Sequence, residues 1–394
     1  MSKLSTFILV ACMASAGAMT AQEPKTVHVE TAGTLSTLLT ETEKATVTDL
    51  TVTGNINPAD IYFMASLTYA NWPEGERTGS IVPKNPNGVL LNIDFSGATV
   101  SGDSIPNEAF AYRKIGRITV PNSISVIGSH AFHSASDDVL FEFSYPTGLK
   151  VIRMGAFWSC GNSSLFDFPE GLETIESSAF DNCAQNVSEP LIVTIPSTVT
   201  SIGDYAFYYC SRVQEVKILS SDSLTIEESA FCDIESLTTV TLPAKLKSLG
   251  DDVFHNHNDS ELKKVYNHSE NPLKISKNVF SGAFFKDVTL YVPEASIDAY
   301  KVATGWKEFG AIEAINATAV PAVKTTGTVY CYVADNALTV KGLTGTAALT
   351  LTGLNGKTLL RKAVSSDVSI PLNGLSKGVY VVRIGDKTFK VIKK

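Results

Sequence analysis

The densest group of side chains able to ligate a metal lies in one short stretch beyond the middle of the chain. Residues 255–259 have the sequence HNHND, which contributes His255, His257 and Asp259, and His268 follows nearby. Imidazoles hold transition metals, but a metal site requires three or four convergent ligands. A solvated loop explains the stretch as well as a metal site does, and we predict neither a metal nor a cofactor.

Three pairs of adjacent acids could indicate glycosidase chemistry. The pairs are Asp137-Asp138, Glu227-Glu228 and Asp251-Asp252. Glycosidase carboxyls face each other across the sugar at set separations, whereas neighbours on a strand point to opposite faces. The sequence also lacks a nucleophile motif, a phosphate-binding loop and a cysteine pair with zinc spacing. We therefore predict that the acid pairs lie on the surface and promote solubility. We predict no catalytic residue and no enzyme activity.

The elements that must position any functional residue come from an internal repeat. An Ala-Phe pair, or a close variant, occurs eight times at intervals of 22 to 27 residues. The phenylalanines are Phe110, Phe132, Phe157, Phe180, Phe207, Phe231, Phe254 and Phe280. A period of this size indicates a solenoid, in which each coil buries the apolar edges of its neighbours.

Each repeat has the same internal order. Apolar and polar residues alternate before a proline, as in Val193-Thr194-Ile195 before Pro196, which predicts a short strand that the proline ends. A second apolar pair follows, and the next residue is Gly128, Gly203 or Gly250 in three units. We expect these glycines to adopt a conformation closed to larger residues. The Ala-Phe pair is predicted to form a tight helical or 3₁₀ turn with its phenylalanine inside.

The units resemble a known repeat class. VTIPSTVTSIGDYAFYYC, residues 193–210, is similar to the pattern LxxVxIPxxVxxIGxxAFxxC of the BspA-like leucine-rich repeats of bacterial surface proteins. The match covers residues 90–312. The resemblance implies a mainly β fold, a leucine-rich repeat solenoid of about eight coils, and a role in adhesion.

The end of the array strengthens the resemblance. Residues 263–280 and 288–312 resemble the closing segment common in the family's Bacteroidetes members. Tyr300, Trp306 and Phe309 are expected on a short helix that covers the open end of the core. Two departures place the strand register in question: Ser220 stands where proline is expected, with an apparent extra residue around Leu219, and His268-Ser269 replaces the apolar-proline step.

The sequence predicts four segments. They are a signal peptide at 1–21, an N-terminal cap with an inserted loop at 22–88, the solenoid with its C-terminal cap at 89–315, and a small β-sandwich at 323–394. Residues 47–64 are expected to form the opening coil, and residues 69–87 the inserted loop.

The amino terminus predicts export. Lys3 precedes an apolar run and a series of small residues, the pattern of a secretory signal peptide. Cleavage after Ala21 is preferred, with Ala18 as the alternative. Cys12 lies in a segment similar to a lipobox, but the apolar stretch before it is short, so we favour an ordinary signal-peptide residue over a lipid anchor.

The cysteines follow the repeat. Cys160, Cys183 and Cys210 each lie three residues after a repeat phenylalanine, and Cys232 lies one residue after the next. In an exported protein they could form disulfides. They could also form a ladder of small buried side chains, which we favour because their phase follows the repeat. Cys331 has no predicted partner.

Charge divides the chain. Residues 323–394 contain 11 Lys or Arg and 3 Asp, a net charge of +8, whereas residues 22–322 have a net charge of −17. Phosphate binding needs a basic footprint, so a nucleic-acid partner is excluded for the main segment. No apolar run beyond the signal peptide is long enough to span a bilayer.

The tail resembles the sorting domain of the type IX secretion system. The matching elements are NGK at 355–357, GVYVVRI at 378–384 and a basic terminal strand. The resemblance implies a secreted protein or one at the exterior of the outer membrane. An ordinary immunoglobulin-like module is the alternative.

Binding is the leading function. The outward strand positions form the candidate partner-contact face: Thr119, Ser144, Asp167, Thr194, Lys217, Thr241 and Tyr291. They are mostly small and polar, with no aromatic stripe of the kind that interfaces favour. We predict a non-enzymatic scaffold that binds a protein or glycan. The alternatives are an envelope spacer without a high-affinity ligand and, third, a carbohydrate-active enzyme.

Overall fold

The computed structural model describes residues 24–70, 82–135, 141–161, 165–219, 224–257, 261–280, 285–315, 330–334, 337–341, 347–353, 358–364, 368–372, 375, 378–385 and 387–393. The chain divides into two compact units, Met1–Ala314 and Ile315–Lys394. The predicted signal peptide, including Cys12, lies outside the described residues.

The first unit consists mainly of short strands. In chain order its elements are β1 (Lys25–Val29), α1 (Glu41–Thr46), β2 (Asp49–Ile56), α2 (Pro58–Ser66), β3 (Asn92–Asp94), β4 (Ala98–Val100), β5 (Ser104–Ile105), β6 (Arg117–Thr119), β7 (Val126–Ile127), β8 (Glu142–Phe143), β9 (Val151–Ile152), β10 (Thr174–Ile175), β11 (Leu191–Ile195), β12 (Ser201–Ile202), β13 (Val213–Ile218), β14 (Thr225–Ile226), β15 (Thr239–Leu242), β16 (Ser248–Leu249), β17 (Lys264–Asn267), β18 (Thr289–Val292), α3 (Ile297–Val302) and β19 (Ala311–Ala314). Short 3₁₀ helices span Leu35–Thr37, Phe285–Asp287 and Glu294–Ser296.

The strands form parallel sheets in which neighbours are usually one coil apart. The first strands of the coils, several of which precede a proline, pair in the orders β1-β2-β3-β6-β8 and β11-β13-β15-β17-β18-β19, and β4 also pairs with β2. The two-residue apolar pairs form a second wall in the order β16-β14-β12-β10-β9-β7-β5. Ile152 pairs with Ile127 on one side and Ile175 on the other. The predicted mainly β repeat solenoid is confirmed.

The first wall is interrupted where a strand was predicted. The segment Phe166-Asp167-Phe168 forms no strand between β8 and β11. The hydroxyl of Tyr145 donates to the carbonyl of Leu165 at 2.9 Å, so a side chain satisfies backbone that would otherwise enter the ladder. The strand prediction for this coil was therefore wrong.

The register departures have specific outcomes. The pairing of β11 with β13 shifts between Leu191 and Ile192, so that Gln214 is left without a partner residue as in a β-bulge. That bulge is separate from the extra residue predicted around Leu219. Ile195 pairs with Ile218 and Ile202 with Ile226, so this coil has one more residue than its neighbour between the two walls, as predicted. Residues 220–223 of that stretch lie outside the described ranges. Although His268-Ser269 replaces the proline step, β17 pairs regularly with β15 and β18.

The Ala-Phe turns form a third hydrogen-bonded wall. The amides of the repeat phenylalanines from Phe110 to Phe254 donate to the next coil, as from Phe132 to Ala156 at 2.7 Å. In the turns from Phe110 to Phe231, the residues two before and two after the phenylalanine donate in the same direction and have positive φ, as at His130 (55°) and Ser134 (48°). The segment therefore forms consecutive β-turns and not the expected helical or 3₁₀ turn. Because alternate residues have left-handed backbone, every second amide points toward the neighbouring coil and donates to it.

The glycines of the repeat serve a different purpose from the one predicted. Gly128, Gly203 and Gly250 do not have positive φ. A Cβ on them would lie 2.6, 2.4 and 2.6 Å from backbone atoms of the preceding coil, and real Cβ atoms do not approach so closely. Close packing of coils therefore requires these glycines.

The repeat phenylalanines form one continuous stack inside the solenoid. Successive ring centroids lie 4.8 to 5.5 Å apart with interplanar angles of 2 to 15°. Phe207 is fully buried between Phe180 at 5.2 Å and Phe231 at 4.8 Å. Each ring thus packs on both neighbouring coils.

Both ends of the solenoid are covered. At the start, β1 precedes the predicted opening coil and pairs with its strand β2. The side chain of Asp60 accepts hydrogen bonds from the amides of Gly33, Leu35 and Asn57. At the other end, Phe280 packs on Trp306 at 5.7 Å.

The closing segment differs in one respect from its prediction. Tyr300 lies on α3, but Trp306 and Phe309 lie in the turns after this helix. All three are buried, and the indole of Trp306 donates to the carbonyl of Leu273 at 2.8 Å. The predicted cap residues therefore cover the core from a longer segment than expected.

The second unit is antiparallel. Its strands are β20 (Tyr330–Ala334), β21 (Ala337–Lys341), β22 (Ala347–Gly353), β23 (Thr358–Val364), β24 (Val368–Pro371), β25 (Gly378–Ile384) and β26 (Lys387–Lys393). They form sheets in the orders β20-β21-β24 and β23-β22-β25-β26, which share one core that includes Leu338, Leu351 and Val382. The element GVYVVRI is β25, while NGK at 355–357 lies outside the described residues.

Within the described ranges, no helix has both the length and the apolar character needed to cross a membrane.

Truncation of one interior ring should destabilise the solenoid strongly. Phe207→Ala removes a fully buried ring with partners on both sides, and we expect the free energy of unfolding to fall by about 3–5 kcal/mol. Tyr209→Ala, at an exposed position of the same turn, should change it by less than about 0.5 kcal/mol. Equal losses in chemical denaturation would contradict the stacked core.

Candidate functional site

The predicted partner-contact residues do not form one row, and two of them lie outside the strands on which they were predicted. Thr194, Lys217 and Thr241 are cross-strand neighbours on β11, β13 and β15. Thr119 lies on β6 beside Asp94 in the other sheet. Ser144 follows β8, and Asp167 lies at the interruption, so neither is part of a strand; both are exposed. These residues and their continuation along the same strands form the sheet face.

The sheet face carries an aromatic pair that the sequence did not predict. The row through Thr241 continues to Tyr266 and Tyr291, whose rings stack with centroids 4.8 Å apart. Tyr291 was among the outward positions, whereas Tyr266 was missed because its unit lacks the proline that marked the other strands. The alternation of KVYN at residues 264–267 was the available signal.

A groove lies where the strands are interrupted. Its volume is about 310 Å³, and its lining includes Phe166, Asp167, Ile192, Thr194 and Leu219. Ile192 and Leu219 are 49% and 50% exposed. The interruption thus places two predicted contact residues, Asp167 and Thr194, beside exposed aliphatic side chains.

His268 lies in a second groove, of about 410 Å³. The lining of this groove also includes Leu219, Thr241, Pro243 and Lys245. Burial lowers the pKa of His268. His268 therefore lies beside the sheet face and is not grouped with the histidines of the HNHND stretch.

The outer side of the Ala-Phe turns is the more distinctive surface. We call it the turn face: Tyr112, His130, His133, Trp158, Asp181, Tyr205, Tyr208, Tyr209, Cys232, Asp233, His255 and His257. Most of these residues lie two before, one after or two after a repeat phenylalanine. Because each turn stacks directly on the next, equivalent residues of neighbouring coils lie side by side.

Two aromatic clusters lie on the turn face. In the first, the rings of His133 and Trp158 stack at 4.6 Å and 5°, and Tyr112 lies 4.6 Å from His133. In the second, Tyr208 lies 5.6 Å from Tyr205 and 5.9 Å from Tyr209. Trp158, Tyr205 and Tyr209 are 37%, 39% and 38% exposed, so both clusters are open to solvent.

The polar residues near these clusters are electrostatically perturbed. Asp181 follows Phe180 in the coil between Trp158 and Tyr208, and burial raises its pKa to about 6, against a hydrogen bond with Ser178. Burial and the charge of Asp233 raise the pKa of Tyr208 to about 12.

Sequence reasoning missed the turn face because it considered only strand positions. The signal was present: FAY, FHS, FWS and FYY follow four of the repeat alanines. An aromatic or histidine directly after the buried phenylalanine must point away from the core, since the phenylalanine itself fills the interior.

The cysteine ladder is confirmed for three of the four repeat cysteines. Cys160, Cys183 and Cys210 are buried free thiols, and each donates to the carbonyl of the repeat phenylalanine one coil earlier, at 3.0, 2.7 and 3.1 Å. Burial raises the pKa of Cys183 and of Cys210 well above the ordinary thiol value.

Cys232 is buried and free but has polar neighbours. Its thiol is close to Asp233 and Ser229, and burial, with Asp233, raises its pKa to about 12. A sulfur, a carboxylate oxygen and a ring nitrogen of Cys232, Asp233 and His257 lie within 4.8 Å of one another. His257 of the HNHND stretch therefore lies against Cys232 and Asp233 of the preceding coil. Asp259 lies outside the described residues.

Asp233 and His257 form an ion pair within this cluster. The Nδ1 atom of His257 lies 2.9 Å from Oδ2 of Asp233, and the backbone amide of His257 donates to Oδ1 at 2.7 Å. Burial opposes ionisation of Asp233, but the hydrogen bonds from His257 outweigh it and hold the pKa of this carboxyl below its ordinary value.

The parallel strands, the stacked phenylalanines and the cysteine ladder together define a leucine-rich repeat solenoid. The family profile of the BspA type leucine rich repeat region matches six copies, over residues 103–191 and 185–300. The chain belongs to this family.

Comparisons with solved structures give two further similarities. A leucine rich cell surface protein from Faecalibacterium prausnitzii A2-165 is 17% identical, with 55% of this chain and 84% of that chain covered and a TM-score of 0.30. The pneumococcal vaccine antigen PcpA is 17% identical, with 68% and 79% covered and a TM-score of 0.36. No curated protein matches.

The ladder cysteines should resist thiol reagents in the folded protein. We expect iodoacetamide to leave Cys160, Cys183 and Cys210 unmodified until denaturant is added, because their thiols are buried and hydrogen-bonded. Peptide mass spectrometry before and after unfolding measures this. A disulfide-linked peptide that joins any two of them would contradict the ladder.

Proposed function

We propose that this protein is a secreted or surface-displayed adhesion scaffold that binds a macromolecular ligand, protein or glycan, through the turn face. The observation that carries the proposal is the pair of aromatic clusters at Trp158 and at Tyr205 to Tyr209. Tryptophan and tyrosine supply a large contact area at low entropic cost and dominate interface energetics. Neighbouring exposed aromatics of this kind favour a binding surface over a spacer.

The rigidity of the turns supports the same proposal. Tyr205 and Tyr209 both have left-handed backbone, and their amides donate to the next coil at 3.2 and 3.1 Å. Their side chains therefore project from fixed backbone. A preorganised surface loses little conformational entropy when a ligand binds.

The sheet face is a second proposed contact surface. Thr194, Lys217 and Thr241 are small or charged side chains, and Lys217 is paired with Glu215 at 2.9 Å. Partly exposed pairs of this kind contribute little to affinity. The sheet face is therefore expected to add contacts and not to anchor the ligand.

We also propose that the protein has no catalytic activity. Of the acid pairs, Glu227, Glu228 and Asp251 are exposed, which suits a role in solubility. Asp137 and Asp138 lie outside the described residues.

Export is proposed from the two ends of the chain. The signal-peptide pattern at residues 1–21 and the sorting-domain resemblance of residues 323–394 support delivery to the outside of the outer membrane in a member of the Bacteroidetes. The second unit has its own core, separate from that of the solenoid, as a removable sorting domain requires.

Loss of an exposed aromatic side chain should weaken ligand binding. The protein is panned against arrays of matrix proteins and glycans, and the affinity of each hit is measured. Trp158→Ala and Tyr205→Ala should each weaken binding at least about tenfold, the loss expected of an interface anchor.

Sheet-face variants provide the matched controls. Lys217→Ala and Ile192→Ala should change affinity less than about threefold, with circular dichroism to verify folding. A larger loss of affinity in these controls than in the aromatic variants would show that the sheet face, and not the turn face, binds the ligand. If the unmodified protein binds nothing at micromolar concentration, the spacer alternative replaces adhesion.

Removal of the second unit should block the last step of export. We expect deletion of residues 323–394 to leave the solenoid folded in the periplasm, because its core is independent. Cell fractionation and protease accessibility measure the location, with Trp158→Ala as an export-competent control. Unchanged surface display or secretion of the deleted form would exclude the sorting role.

A further inference from the structure

We propose that Cys232, Asp233 and His257 form a binding site for a divalent transition metal of the zinc type. Their donor atoms, one sulfur, one carboxylate oxygen and one imidazole nitrogen, lie within 4.8 Å of one another. These are the protein ligands that zinc prefers. The site is independent of the aromatic clusters to which ligand binding is assigned above.

The turn ladder brings the three donors together. Cys232 and Asp233 directly follow Phe231, and His257 lies three residues after Phe254 in the next coil. The amide of Asp233 donates to the carbonyl of His255 at 2.8 Å, which fixes the register of the two coils at this point. Backbone hydrogen bonds between the two coils therefore fix the positions of the residues that carry the three donors.

The carboxylate and the imidazole already face each other. Nδ1 of His257 lies 2.9 Å from Oδ2 of Asp233. Zinc bonds of about 2.0–2.1 Å in a tetrahedral site place two such donors about 3.3 Å apart, so this pair of donors needs to separate by only a few tenths of an ångström, while the sulfur of Cys232, within 4.8 Å of both, closes on the ion by rotation of its side chain.

Outer-shell contacts orient the carboxylate. The backbone amide of His257 donates to Oδ1 at 2.7 Å, and the hydroxyl of Tyr208 is hydrogen-bonded to the same side chain. Such second-shell contacts hold ligands in metal sites. Oδ2 is the oxygen assigned to the ion.

Cys232 differs from the ladder cysteines in a way that suits a ligand. It is not part of the apolar cluster that contains Cys160, Cys183 and Cys210, and its hydrogen-bonding neighbours are Asp233 and Ser229. Metal binding displaces the thiol proton and the proton on Nδ1 of His257 to solvent.

The site also has an entrance from solvent and two candidates for the fourth ligand. The side chain of His257 is 68% exposed, so an ion can enter from solvent. The ring of His255 lies 4.2 Å from that of His257, and water or this imidazole can complete four-coordination.

Cobalt titration tests the site. Tag-free protein that begins at Gln22, and so lacks Cys12, carries Cys331→Ser. It is stripped with a chelator under a phosphine reductant and titrated with Co²⁺. We expect one equivalent to bind with a thiolate-to-cobalt charge-transfer band and strong tetrahedral d–d bands, and Zn²⁺ to abolish both. Cys232→Ser should remove the charge-transfer band, and Cys232→Ser and His257→Ala should each weaken binding at least about tenfold.

The matched control is another histidine that faces a carboxylate. His28→Ala removes a side chain whose Nε2 lies 3.4 Å from Glu30, with no cysteine in the pair, and should leave the titration unchanged. Absence of the bands, their persistence in Cys232→Ser, or an equal loss in His28→Ala would overturn the proposal and leave only an ion pair between Asp233 and His257.

Discussion

The backbone hydrogen bonds between successive Ala-Phe turns are the interaction on which the rest of the solenoid depends. The amides of Tyr205, Phe207 and Tyr209 all donate to the next coil, which is possible only because alternate residues have left-handed backbone. An L-residue with a side chain loses roughly 1–2 kcal/mol in that conformation. The turn persists because each left-handed residue gains an inter-coil hydrogen bond and the intervening phenylalanine is fully buried.

The spacing set by this ladder also determines the interior and the surface. Hydrogen-bonded strands lie roughly 4.7–4.9 Å apart, and the ring pair Phe207 and Phe231 repeats at 4.8 Å. The same spacing places His133 on Trp158 at 4.6 Å on the outer side. One geometric constraint therefore packs aromatic rings on both sides of the turns, inward in a continuous stack and outward in two exposed clusters.

Much of the scaffold follows from the sequence, because period, proline position and inward phenylalanines are local signals. The turn conformation does not, since nothing about Tyr205 or Tyr209 marks a left-handed residue, whereas glycine or asparagine would. The close approach at Gly203 and the meeting of Cys232 with His257 depend on which coil lies beside which. Such contacts arise between residues more than 20 positions apart, and only the assembled register reveals them.

Asp181 indicates that the turn face is not shaped by stability alone. Burial raises its pKa from 3.8 to about 6, so the folded chain holds this proton more tightly than the unfolded chain does. Ionisation of Asp181 therefore weakens the fold as the pH rises from about 4 through 6. Trp158 and Tyr208 occupy the equivalent positions in the neighbouring coils, and neither is ionised in this pH range, so neither destabilises the fold in this way. A destabilising carboxylate between two exposed aromatic clusters supports the proposed contact surface over the spacer alternative.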